Sequence, residues 1–357
     1  MNTGRRRWLA AAGIATLALN SRLMAATYGG DPPFKALSDR LGEPPSGPAS
    51  ADNLMTNEDS IASVLDRLSE LPAETAYLGV GPDQNYSMIA ATRPAKALIL
   101  DYRVKNRNLH LLHKSLVELS GDRTAYSSAF WARSPVIDAL VRNDVSSWVN
   151  AYSSTASNPE MLAEMQTRVS RFLENEGFRK EEDLAEIRKI QARLAGPGPE
   201  ARFLALKMYP TIGSLIAMKT RSGKPGHWLA DDAMYGTVRS LHMADSILAI
   251  VADWAGTQGM RNIAAYLSEQ GLKVGCVYVS DVEFFLFRAG LFDRYVANLA
   301  RLPIAPEAVI VRTSTREIDH PDRVPGRSST TIVRSLPEFL AAARSGRFRG
   351  WDDVFVR

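Results

Sequence analysis

Apolar positions along the chain fall into two kinds of run. Short, mainly apolar blocks at Ala76 to Val80, Ala97 to Leu100, Ser246 to Ala252, Val274 to Val279 and Ala308 to Arg312 end in Gly, Asp, Ser or Arg. Blocks of this length and composition predict strands buried on both faces. Between them, apolar residues recur at helical spacing. Gln84 to Thr92 predicts a helix that Pro94 terminates, and Leu109, Leu112, Leu116 and Leu119 mark one face of the next. Ile263, Ala264 and Leu267, with a stop at Gly271, predict another, followed by helical stretches over Val282 to Ala300 and Leu336 to Ala343.

This alternation predicts an α/β fold, a doubly wound and mostly parallel sheet. The first two strands and their helix form a βαβ unit, and the third and fourth strands predict a second one. From about Phe130 to Gly226 the pattern is helical only, with Met161, Leu162, Met165, Val169 and Phe172 on one face and Leu184, Ile187, Ile190 and Leu194 on another. Residues 130–226 therefore read as a helical insertion that caps the sheet, inside one domain spanning 56–357. Thr56 and Asp59 resemble a capping box ahead of a short helix through Ile61, Val64, Leu65 and Leu68. The polar run Thr313 to Ser329 predicts a long loop.

The N-terminus changes the picture of charge. Arg5, Arg6 and Arg7 precede the apolar run Trp8 to Leu19, which is well short of the roughly 18 residues that span a bilayer. Residues 1–26 resemble a secretory signal of the twin-arginine type, with an uncleaved membrane tether as the alternative. Residues 27–55, rich in Pro and Gly up to Pro48, predict an exposed linker. The first 25 residues carry four of the 43 basic residues and no acid, so the rest of the chain balances 39 basic against 39 acidic residues. The apparent pI of 9.1 belongs to the leader, and nucleic-acid binding has no support. Membrane contact is expected only through an uncleaved N-terminal segment. The single Cys276 excludes an intramolecular disulfide and reads as buried and inert.

Candidate chemistry gathers at strand ends. Gly79 and Gly81 follow the first strand, Asp101 ends the second, Asp253 the third, and Ser280, Asp281 and Glu283 follow the fourth. Ligands of open parallel sheets bind outside these ends. A dinucleotide turn needs a third glycine where Gln84 stands, and Pro82 lacks the N–H that a phosphate cradle would use. A nucleoside without phosphates asks less of the turn. Asp101, about 20 residues beyond it, stands where an acid accepts from ribose hydroxyls.

The blocks Tyr77 to Asn85, Asp101 to Arg103 with Asn106, Ala252 to Gly256, and Tyr278 to Glu283 together resemble an uncharacterised bacterial family with a class I S-adenosylmethionine-dependent methyltransferase-like fold. The resemblance runs from about Ala76 to Thr313, with Trp254 where Phe is expected. It implies a methyltransferase-like Rossmann sheet, with S-adenosylmethionine or a related nucleoside contacted at Gly79, Gly81 and Asp101. Gln84, Asn85 and Arg103 are further candidate contacts beside them, Arg103 either holding the Asp101 carboxylate in place, meeting an acidic substrate or lying on the surface. Asp253 and Glu283 are the candidate bases for an acceptor that must lose a proton.

Export to the periplasm or envelope removes the protein from the expected methyl donor. The expectation is therefore twofold: an exported methyltransferase-like protein of unknown acceptor, or a non-catalytic methyltransferase-like module that binds a small molecule or interacts at the envelope. Elsewhere, His110 and His113 lie three apart on a helix, and with no third ligand at readable spacing no metal site is predicted; they read as surface or boundary residues. No G-x-S-x-G elbow occurs. His227, Trp228, Asp231, Asp232 and Tyr235 are positioned to line the cleft from the cap side, with Asp231 preferred as a helix N-cap.

Overall fold

The computed structural model describes residues 33–46, 53–316 and 318–355. The signal segment at 1–26 lies outside the described residues. Six strands form one mixed, mostly parallel sheet: β1 Ala76–Gly79, β2 Lys96–Asp101, β3 Ile247–Val251, β4 Val274–Ser280, β5 Ile304–Ser314 and β6 Thr330–Ser335. Their order is β3-β2-β1-β4-β5-β6. The first five are parallel to their neighbours, with Leu78 beside Leu98 on one side and Val277 on the other. Helices cover the sheet, and the strands are buried almost throughout, as their unbroken apolar runs require.

The strand order corrects one expectation. β3 and β4 do not form a second βαβ pair; they lie on opposite sides of β2 and β1. After β3 the chain crosses over with the helix Gly259–Glu269 and begins the other half of the sheet at β4. The order of the strands thus reverses between β1 and β4, and the carboxyl ends of those two strands border the crevice of such a sheet.

A second correction concerns the polar run Thr313 to Ser329, which is a loop only after β5 ends at Ser314. The chain then returns as β6, antiparallel to β5 from Ser314↔Thr330 to Val309↔Ser335. This strand escapes a hydrophobic pattern because its start is held by hydroxyls. Thr331 bonds Thr313 at 3.0 Å and Ser60 at 2.7 Å, all buried.

Residues 33–41 correct a third expectation. In place of exposed linker there is a helix, Pro33–Leu41, beginning on a proline whose missing N–H would have no helical partner anyway. Phe34, Leu37, Ser38 and Leu41 repeat at i, i+3, i+4 and i+7, and Phe34 and Leu41 join the core. Ser38 donates to the β3 carbonyl of Ala249 at 2.6 Å. Nor do Thr56 and Asp59 form a capping box. Thr56 accepts from the Glu58 N–H, while the Asp59 carboxylate accepts from the Ser328 and Ser329 N–H groups.

Between β2 and β3 the regular elements among the described residues are helices, joined by loops that carry two isolated bridges at Arg202–Thr211 and Lys219–Pro225. The helix Glu181–Ala195 is pinned to Val104–Glu118 through Arg107–Asp183 at 2.7 Å and Lys105–Glu186 at 3.1 Å. The segment after it, Ile212 to His227, turns back toward the sheet and supplies one wall of the cavity described below.

Candidate functional site

The turn after β1 is built around Asn85. Its amide nitrogen donates to the carbonyls of Val80, Gly81 and Pro82 at 2.9, 3.2 and 2.7 Å, and its oxygen accepts from the Tyr77 hydroxyl at 2.8 Å. A side chain at Gly79 would put its Cβ 1.9 Å from that oxygen. Gly79 is therefore glycine to admit Asn85, and not to let a ligand approach the backbone. Gly81 has φ +80°, where glycine is unstrained, and its carbonyl is held by His110 Nε2 at 2.9 Å.

Asp101, buried at the end of β2, is saturated by the chain itself. Arg103 grips both oxygens at 3.2 and 3.1 Å and donates its backbone N–H at 3.0 Å, while Asn53 donates at 3.4 Å. Burial pushes the carboxyl up and the Arg103 guanidinium pulls it back. At the end of β3 the same thing happens with Glu43. Its carboxylate accepts from the N–H groups of Asp253 and Gln258, both at 2.9 Å, just ahead of the helix that begins at Gly259. A Cβ at Gly256 would lie 1.9 Å from that carboxylate. Asp253 itself folds back on the Ala255 N–H at 2.8 Å and accepts from Ser46 at 3.1 Å. The expected base is thus a turn-former.

Glu283, the other expected base, is committed to the core. Fully buried, it pairs with equally buried Arg312 at 2.7 and 3.1 Å and accepts from Tyr295 at 3.0 Å. A carboxylate so paired holds β5 to the helix Val282–Arg288.

What the sequence did not single out is Glu58. This buried carboxylate accepts from the Tyr278 hydroxyl at 2.8 Å on one oxygen and from Ser280 Oγ on the other. Burial pushes it up to about 7, against the pull of the Ser280, Thr313 and Tyr278 hydroxyls, so it titrates near neutrality. Gln84 donates to the same Tyr278 oxygen at 3.1 Å, while its own carbonyl is buried with no partner among the described residues.

Glu58 and Gln84 border a cavity whose remaining polar lining is Thr56, Asp83, Ser87 and His227. Met55, Ile61, Ile212, Leu215 and Met218 close the apolar side. Counting the space open to the centres of water-sized occupants it measures about 30 Å³, room for roughly two waters. Burial pushes Asp83 up to about 6 and His227 down to about 3, so His227 is neutral there.

Of the other residues expected near the cleft, only His227 lines this cavity. Trp228 is buried with its indole N–H 3.4 Å from Asp83, and Tyr235 stacks on it. Asp231 caps its helix by accepting from the Ala233 and Met234 N–H groups, both at 2.9 Å, as preferred, and Asp232 pairs with Arg123. His110 and His113 are neither surface nor boundary residues. Both are buried, bonded to the hydroxyls of Tyr86 and Tyr126 at 2.8 and 2.7 Å, and held neutral by desolvation. No cluster of metal-ligating side chains occurs among the described residues. Cys276 is buried, and desolvation pushes its thiol up, leaving it inert.

Glu58 carries no motif. It sits in a polar stretch before a helical turn, and only its place beside Tyr278 and Ser280 at the end of β4 and Thr313 at the end of β5 makes it chemical. No curated protein matches the chain. Residues 54–345, which hold Glu58, Tyr278, Ser280 and every residue lining the cavity, match the family model described as "Domain of unknown function (DUF7790)", and the chain belongs to that family.

Proposed function

We propose that the protein is an exported small-molecule-binding module on a methyltransferase-like, Rossmann-like scaffold that does not turn over S-adenosylmethionine. The scaffold reading is supported by the strand order β3-β2-β1-β4-β5-β6, the order of doubly wound nucleotide-binding sheets, together with an acid at the end of β2. The antiparallel β6 is the departure from an all-parallel sheet. Export is supported by the arginines ahead of the apolar run at the start of the chain, which point to the periplasm or envelope.

One observation carries the binding reading against methyl transfer: the chain's own side chains occupy the crevice at the ends of β1, β2 and β3. Asn85 fills the space over Gly79, Asn53 and Arg103 saturate Asp101, and Glu43 takes the N–H groups at the end of β3. A ribose would have to strip two donors from a buried carboxylate before gaining any bond to it, and each such exchange is at best neutral. The residues present therefore do not fit S-adenosylmethionine. Mass spectrometry of small molecules released from protein purified out of the periplasm tests this. The expected extract contains no stoichiometric nucleoside, and recovery of S-adenosylmethionine or its demethylated product at one per chain would restore the methyltransferase reading.

A further inference from the structure

At the carboxyl end of β4 the ladder with β5 shifts register between Tyr278 and Ser280, and Ser280 takes φ +52°. Left-handed backbone is uncommon for a residue with a side chain. Six other non-glycine residues share it among the described residues, and Arg93 and Ala132 are ordinary helix C-caps. Among the seven, Ser280 alone ends a strand and turns within two residues into a helix, Val282–Arg288. Bulges and strained residues of this kind re-aim side chains at reactive sites. Here the side chain aimed is a hydroxyl, partly exposed, donating to a buried carboxylate. The carboxylate is in turn oriented through its other oxygen by Tyr278, which Gln84 holds. A nucleophile bonded to a base that a third group orients is the arrangement of covalent catalysis.

We propose that Ser280 is a nucleophile for small esters, with Glu58 as its general base and Tyr278 as the residue that positions Glu58. Ser280 Oγ adds to the acyl carbon as its proton passes to Glu58. The bond from that carbon to the alcohol oxygen breaks, and the alcohol leaves with the proton. Water then adds to the seryl ester, giving its proton to Glu58, which returns it to Ser280 Oγ as the acid departs. The net reaction is ester plus water to acid plus alcohol. This activity goes beyond the binding reading and does not depend on it. Glu58, titrating near neutrality, is suited to the base role. The ionisable groups around it are Tyr278 and Asp281 on the β4 side, Tyr77 on β1, and Asp83 and His227 across the cavity; Asp281 and Tyr77 are themselves raised by burial, and His227 is neutral.

The test is labelling of the full chain with a fluorophosphonate, which esterifies activated serines, read by peptide mass spectrometry. The wild type is expected to carry the adduct on Ser280, at a rate that rises with pH through about 7 as Glu58 ionises. Glu58→Gln is expected to lower that rate by roughly 10² or more, the contribution of a general base. Tyr278→Phe, which removes a donor from the ionised carboxylate, is expected to move the midpoint to higher pH, a shift that simple loosening would not produce. Ser280→Gly accepts the φ without strain and serves as the folded blank, free of adduct at this peptide. Absence of the adduct on wild-type Ser280, or equal rates for wild type and a folded Glu58→Gln, would overturn the proposal.

Discussion

The two halves of the crevice, at the ends of β1 and β2 and at the end of β4, are built on opposite principles. On the β1–β2 side the groups at the strand ends have found partners within the chain: Asn85 uses both ends of its amide, and Asp101 is held by Arg103 and Asn53, while Gln84 from the same turn reaches across to Tyr278 of β4. On the β4 side a buried carboxylate sits beside a cavity, an amide carbonyl has no partner among the described residues, and a serine is held in left-handed backbone. The first side resembles a nucleoside site by sequence and is spent on stability. The second carries no motif and keeps its chemistry unspent. A saturated polar network rigidifies a fold, whereas an unsaturated one costs stability and persists where it is used.

The sharpest way to break this contrast is Gly79→Ala. The new methyl would collide with the Asn85 amide and the Tyr77 ring, so the cost should approach about 4 kcal/mol in urea unfolding, from overpacking plus lost buried hydrogen bonds. A cost below about 1 kcal/mol, the range of a tolerated swap, would mean that the space is open to a ligand after all.

The β4 side should respond to pH instead. Glu58 is raised from its ordinary 4.5 to about 7, so below 4.5 it is protonated in both folded and unfolded chains. As pH rises through this window the unfolded chain ionises first, and stability falls with each step. Replacing Glu58 with Gln removes that loss. The stability of the variant relative to wild type should therefore grow by about 3 kcal/mol between pH 4 and pH 8. A pH-independent difference in parallel urea titrations would mean that Glu58 is ionised at its ordinary value. Asp101→Asn is the smallest of the three effects. Weakening its hold on Arg103 should cost about 1–2 kcal/mol, with no change in affinity for any nucleoside. A change in affinity would return Asp101 to the role of a ribose ligand.

Much of the scaffold is legible in the chain, and for one reason. Strands buried on both faces leave continuous apolar runs, so β1 to β5 announce themselves, as does the helix that Pro94 ends. Elements held by polar contacts do not: β6 enters on Thr330 and Thr331, whose hydroxyls are satisfied inside the protein. The helix Pro33–Leu41 is hidden in the sequence by the proline that starts it. For the site, sequence correctly marks the strand ends as crowded with Gly, Asp and Ser, but residue type says nothing of who their partners are. Gly79 makes room for a side chain, Glu283 neutralises Arg312, and His110 and His113 lie among aromatic rings in the core. Glu58 lies more than 200 residues from its partners Tyr278 and Ser280, a contact that no local pattern encodes.

The claim that the chain fills its own crevice is tested most directly by calorimetric titration of S-adenosylmethionine into two proteins, the wild type and the double variant Glu43→Ala with Asn53→Ala. No binding heat from the wild type is predicted, with heat appearing only where these two of the occupying side chains have been removed. Saturable one-site binding to the wild type, unchanged in the double variant, would contradict it.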